Sequence, residues 1–445
     1  MNAERCALLH NEIVKLGWEG SGRDLDDLPQ RNWFEFYGDE ANEIRNSLSP
    51  TLGTFLEQAW EVGDDHSFFY YVMGLSHPSN LFINHSEEKS RGEKERFLTL
   101  YAANDIAEHP GGLIFDQNTD TAIIQMTVED GSTIHNGRQL WYPLETVLEA
   151  WLDMIHVGKI RAVTGDVEGP NPKFDPWINI PYSDKMLQET ISVFNQLVEA
   201  IESRMPGTHQ EPSATGLVDD VILRESQVPP GFAYEFIRNV RRPRFQYVAP
   251  GLALPTPSTF SNQVFFSILP DPPPDDDDPV LAIAPILLFR STQNYTAPPD
   301  ADITGYNLPF SWPYSQVSQY PSGLYLSPVD RESSNPFEDE CTLVLPFGIG
   351  ANGFARTSDG ARFGENTEAE TSQAKDTFAD LFQPGYQPFV EMHGARFVGV
   401  LKSWLAMVEN GDWSVNEEGI IGGMDEWRKA DTAPEWEKYV VPVGW

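Results

Sequence analysis

The chain has 445 residues, with 30 Lys and Arg against 67 Asp and Glu, for a formal charge of −37. A field of that sign repels nucleic acid and anionic membrane at long range, so either partner requires a local basic patch. Two cysteines, Cys6 and Cys341, exclude a disulfide framework and a four-cysteine zinc site, whereas 12 Trp, 15 Tyr and 26 Phe are ample for a packed interior.

Residues 1–16 carry Glu4, His10, Glu12 and Lys15 and contain no apolar run of secretory type, so the expected location is the cytoplasm. Cys6, Leu9, Ile13 and Leu16 recur at helical spacing, which predicts a helix with Cys6 on its buried stripe. Gly20 to Asp24 end that helix, and a second helical stretch is expected around Leu52 to Trp60. Gly111-Gly112 then introduces two strand-like runs, Leu113–Phe115 and Thr121–Met126, joined by a turn at residues 116–120. Leu144, Val147, Leu148, Trp151, Leu152 and Ile155 form the stripe of an amphipathic helix, with Pro143 at its start and Gly158 just past its end.

Met186–Ile201 is a further predicted helix. Beyond it, Pro270–Pro279 reads PDPPPDDDDP, a tract expected to form a solvated loop between strands at Val264–Leu269 and Val280–Phe289. The second of those runs is about half the length of a membrane-spanning helix. Thr342–Phe347 reads as a last strand before the glycine-rich Gly348–Gly353. Phe397–Val408, closed by Gly411, repeats the tryptophan helix: Val147–Gly158 and Val400–Gly411 share six of twelve residues. The expectation is an α+β fold of mixed sheets and packed amphipathic helices, with two similar α/β units, in segments 1–165, 166–335 and 336–445 that could also form one integrated domain.

Chemistry concentrates in one electrostatic anomaly. Phe236–Pro270 contains no acidic residue and carries Arg238, Arg241, Arg242 and Arg244, interleaved with Phe236, Phe245 and Tyr247. Arginine forks bind phosphate oxygens and stack on bases, so this strip is the candidate contact for RNA or a polyphosphate; the competing reading pairs the arginines internally with surplus carboxylates. Asp116, Asp120, Trp141 and Glu145 are candidate walls of a pocket for a guanidinium or ammonium group. The spacing of GIGANG, Gly348–Gly353, resembles a phosphate-cradling loop but lacks the helix that a dinucleotide fingerprint requires. Glu338, Asp339 and Glu340 precede Cys341 and should raise its thiol pKa, which argues against a nucleophile. His66, His77, His85 and His109 have no metal-ligand spacing, so no metal and no cofactor is expected.

Two resemblances extend these readings. The strings WYPLETVLEAWLDMIHVGKI, Trp141–Ile160, and GDWSVNEEGIIGGMDEWRKAD, Gly411–Asp431, have the look of an intracellular protein of filamentous fungi. In that setting the chain resembles the fungal arginine-containing cyclodipeptide synthases. This resemblance implies an aminoacyl-tRNA partner and amino-acid substrates, with arginine from arginyl-tRNA condensed with a second aminoacyl group. It further implies that the arginine strip contacts tRNA, that the acidic residues hold arginine, and that neither DNA nor membrane is involved. The second resemblance covers about the first third. Leu28-Pro29 before an aromatic stretch, GGLIFD at Gly111–Asp116 and the WLDM helix are similar to the SMI1/KNR4-type (SUKH) module, although its Asn-Gly is missing. That resemblance implies a scaffold that binds other proteins without turnover.

Overall fold

A computed structural model describes residues 1–63, 66–83, 95–104, 111–125, 133–135, 137–167, 173–207, 215–268, 284–297, 308–310, 313–326, 336–365, 378–390 and 393–445. The fold is α+β, with antiparallel and mixed sheets. Helix α1 (Ala3–Gly20) starts where Asn2 accepts a hydrogen bond from the Arg5 amide, and it buries Cys6, His10, Ile13 and Val14. Three short helices follow: α2 (Trp33–Tyr37), α3 (Asp39–Glu43) and α4 (Pro50–Leu56). The last of these is capped by Ser49 and stops short of the Trp60 end expected from sequence.

The first sheet is an antiparallel meander of β1 (Val72–Leu75), β2 (Phe97–Ala103), β3 (Gly112–Asp116), β4 (Thr121–Gln125) and β7 (Tyr142–Pro143). Its inner face, with Leu98, Leu100, Leu113, Phe115, Ala122 and Ile124, packs in one core with α1 and α5 (Leu144–His156). Its outer face carries Phe97, Ile114 and Ile123 against Leu140 and Trp141. Two small hairpins, β5 (Ile134–His135) with β6 (Arg138–Gln139) and β8 (Ile160–Ala162) with β9 (Trp177–Asn179), complete this part. Gly112 explains the glycine pair before β3: its φ is +145°, and a Cβ there would lie 2.1 Å from the Tyr101 carbonyl oxygen of β2.

The second sheet has eight strands in the order β15 (Phe378–Asp380), β14 (Cys341–Ile349), β13 (Gln319–Leu326), β12 (Ile286–Thr296), β11 (Leu252–Ala253), β10 (Tyr247–Ala249), β17 (Gly419–Ile420) and β16 (Val415–Asn416). All pairs are antiparallel except β10 with β17. Helices α6 (Asp184–Glu202), α8 (Phe232–Asn239) and α10 (Phe397–Glu409) share one core with this sheet. The short α7 (Asp220–Glu225) and α9 (Pro257–Phe260) lie in the connections. The two tryptophan helices are alike locally: Trp151 and Trp404 are both buried, and Gly158 and Gly411, at φ +78° and +76°, follow their ends. The sheets beneath them differ in strand number and order.

The sequence placed a strand at Val264–Leu269, and the structure corrects this. Phe265–Ser267 is a 3-10 turn, and the partners of β12 are β11 and β13. Phe265 is drawn into an aromatic cluster with Phe310, Tyr314 and Tyr320, while the Gln263 side-chain amide bonds both the N–H and the C=O of Leu287 and so stands in for a strand. The acidic tract 270–279, residues 280–283 and His85 and His109 lie outside the described residues.

Candidate functional site

The arginine strip is engaged with carboxylates. Arg241 and Arg244 both donate to Glu202, a buried residue at the end of α6, with Arg244 Nη2 at 3.1 Å. Arg242 lies 2.7 Å from Asp219, and Arg238 lies 3.3 Å from Asp220. Phe236 and Phe245 are buried in the second core, so they offer no stacking platform. Sequence brought the four arginines together correctly, but their charge is compensated from α6 and from the residues that open α7. The expectation of an outward-facing cationic strip for tRNA is left without support.

Of the four residues proposed as pocket walls, Asp120 and Glu145 meet the same chain end, at Met1 and Asn2, while Asp116 is engaged elsewhere. Asp116 is fully buried and holds a guanidinium of this chain, accepting from Arg96 Nε and Nη2 at 2.9 Å each, with the Asn118 amide and the Thr119 hydroxyl completing its shell. Asp120, at φ +56°, lies 3.7 Å from the Met1 nitrogen. Glu145 sits at the α1–α5 contact, accepting from the Asn2 amide and the Cys6 thiol. Trp141 belongs to the cluster on the outer face of the first sheet. Asp116, Asp120 and Glu145 thus each contact a group of this chain.

The glycine-rich stretch after β14 does cradle an anion, and the anion is the buried carboxylate of Asp431. Its Oδ2 accepts from the amides of Gly350 (3.0 Å) and Asn352 (2.8 Å), and its Oδ1 accepts from Phe354 (2.7 Å) and Ala355 (2.9 Å). The local backbone therefore has the anion-binding geometry that the glycines suggested, filled from within the fold. Cys341 is buried in β14, and its thiol is pushed well above the ordinary range by burial and then by Asp380, Asp339 and Glu340. Among the described residues no group of three or more His, Cys, Asp or Glu gathers as a metal site.

A polar seam that sequence reading missed lies between the two cores. Lys159 is fully buried: its ammonium donates to the carbonyls of Ile180 (2.5 Å) and Pro336 and sits 3.8 Å from the Phe337 ring centre. Burial lowers its pKa to about 7 against the pull of Asp339. Asp339 accepts from Arg396 Nε at 2.7 Å, and Arg396 lies over the Trp445 ring at 3.9 Å. Burial acts to raise the Asp339 carboxyl, but Arg396, His393 and Lys159 together hold it below its usual value. Glu340 is raised by burial to about 7. His393, 2 % exposed, is lowered by burial to about 3; among the described residues neither ring nitrogen has a hydrogen-bond partner, Nε2 lying 3.6 Å from Glu340 Oε1. The Asp339 Oδ1 and Gln387 Oε1 atoms are likewise buried without a partner among the described residues. The sequence signals were the Glu338-Asp339-Glu340 run and the lysine after Gly158, each of which reads as surface charge until the two units close on it.

Beside this seam opens a cavity of about 190 Å³, bounded by the first turn of α10, residues 381–387 and the stretch 439–445. Arg356, Arg396 and Lys402 line it, and among the described residues no Asp or Glu side chain does. Comparison of the chain with protein-family models, with curated proteins and with solved structures found no match. No helix among the described residues is long and apolar enough to cross a membrane.

Proposed function

We propose that the chain is a non-catalytic protein-interaction module of the SMI1/KNR4-like (SUKH) kind, working in the cytoplasm. The observation that carries this reading is where its motifs fall. Leu28, Leu113 and Phe115 of GGLIFD, and Trp151, Leu152 and Met154 of the WLDM helix all bury their side chains in one core. The three strings are thus the packing determinants of a single α+β unit and not a coincidence of unrelated surface segments. Two buried, unpaired cysteines suit a reducing compartment. The tRNA-dependent synthase reading needs a cationic face, and the pairing of all four arginines with carboxylates weighs against it.

The test has two arms. Tagged protein purified from its native cells should carry a partner that re-forms a defined complex when both proteins are purified and mixed. Expression in bacteria, which supply charged tRNAs, should yield no arginine-containing cyclic dipeptide by mass spectrometry. A dipeptide made only when the chain is present would overturn the scaffold reading.

A further inference from the structure

The cavity beside α10 has a charge balance opposite to that of the chain. The chain holds more than two acids per base. Among the described residues the cavity wall holds Arg356, Arg396 and Lys402 and no Asp or Glu side chain. Arg396 and Lys402 share their charge with Asp339 and Glu189 outside the wall. Arg356 differs: among the described residues its guanidinium meets only the carbonyls of Gly353 and Ala355, through Nη1, and the ring of Trp436 at 4.7 Å. Its Nε and Nη2 donors are not engaged by any described residue. Burial first, and then the nearby Arg362, draw Arg356 below the usual arginine range, while Glu365 and Asp431 act in the other direction.

The start of α10 and a set of aromatic side chains border the same space. Val398 and Gly399, in the first turn of the 13-residue α10, line the cavity, although the Phe397 amide of that turn donates to the Asp339 carbonyl and the Gly399 amide to the Arg396 carbonyl. Trp445, Tyr439 and Phe382 supply aromatic surface. The volume of about 190 Å³ compares with the roughly 150 Å³ of an engineered apolar cavity that takes up benzene. One ring with a charged head group fills it.

We propose that this cavity binds a small organic oxyanion, a carboxylate or a phosphate ester carried on a compact, ring-sized body. Arg356 receives the head group, with Lys402 beside it, and Trp445 and Tyr439 flank the body. The site is independent of the scaffold reading and would make a protein-binding module responsive to a metabolite.

The test uses the full chain with benzoate and phenyl phosphate as probes and benzamidine, of similar shape and opposite charge, as control. Calorimetry and tryptophan fluorescence should show at least one anion binding one to one with a Kd of about 1 mM or tighter, and benzamidine not binding. Whichever anion binds more tightly separates carboxylate from phosphate chemistry. Arg356→Gln should weaken binding about tenfold or more, and Lys402→Gln, on a half-exposed side chain, about threefold. The Lys402 variant keeps the test decisive should Arg356→Gln misfold. The proposal fails if neither anion binds at about 10 mM, if benzamidine binds equally well, or if neither substitution changes anion affinity.

Discussion

Replacing Asp431 by Asn would test whether one carboxylate organises the turn that follows β14. Four amides point at its two oxygens, at 2.7 to 3.0 Å. Asparagine keeps one acceptor oxygen and turns an NH2 group toward the other two N–H donors, so two bonds to a charged acceptor are lost. At roughly 1.5–3 kcal/mol each, the loss is about 3–6 kcal/mol. Asn352 and Phe354 are partly exposed and their amides can take water instead, which places the expectation near the lower end, about 3 kcal/mol. Urea unfolding should show a lower midpoint at an unchanged slope. Amide exchange at Gly350, Asn352, Phe354 and Ala355 should quicken by about 100-fold, the factor that corresponds to about 3 kcal/mol. Asp431→Ala, which vacates the cradle, should regain stability in acetate more than the parent protein does. A loss below about 1 kcal/mol, with exchange at those four amides unchanged, would refute the idea that the glycine-rich turn is built around this carboxylate.

Other outcomes follow from the same geometry. Gly112→Ala should cost several kcal/mol, about 2–4, because the added methyl meets the Tyr101 carbonyl, and circular dichroism melting would show it; a melting point within a degree or so of the parent would contradict the β2–β3 approach. Neither Cys6 nor Cys341 should react with a thiol reagent in native protein, since burial raises both thiols, and both should react in denaturant. His10 is buried, bonds the Trp60 carbonyl through Nε2 and Tyr101 Oη through Nδ1, and has its pKa lowered by burial to about 4. A lowered base binds its proton more readily when unfolded, so His10 contributes stability that is complete above about pH 6.5 and is lost as the pH falls toward 4. Denaturant titrations of His10→Gln against the parent should show a weaker loss over that window; identical slopes would contradict it. Labelled tRNA should bind no tighter than about 100 μM at physiological salt, and sub-micromolar binding weakened by Arg242→Gln would overturn the account of a neutralised arginine strip.

Periodicity located what local physics controls. The stripe of α5, the glycine that follows it, the β3–β4 hairpin and the length of α6 were legible because apolar spacing, caps and turn residues act within a few positions. The four arginines were legible as a cluster for the same reason. What sequence did not disclose was partnership at long separation. Glu202 lies some forty positions before the arginines it pairs with, and Asp431 some eighty after the amides it caps. Lys159 meets Pro336 and Phe337 across 177 positions or more.

From residues alone came an acidic chain with enough aromatic surface for a packed core, the tryptophan helices and an anion-favouring glycine turn. Tertiary structure decided which charges face one another. A guanidinium reads the same in sequence whether it meets a phosphate in solvent or a glutamate in the fold, because the difference lies in distance and desolvation, which only the closed chain sets. The cavity beside α10 is a feature of that second kind, assembled from residues 356 to 445 that share no local pattern.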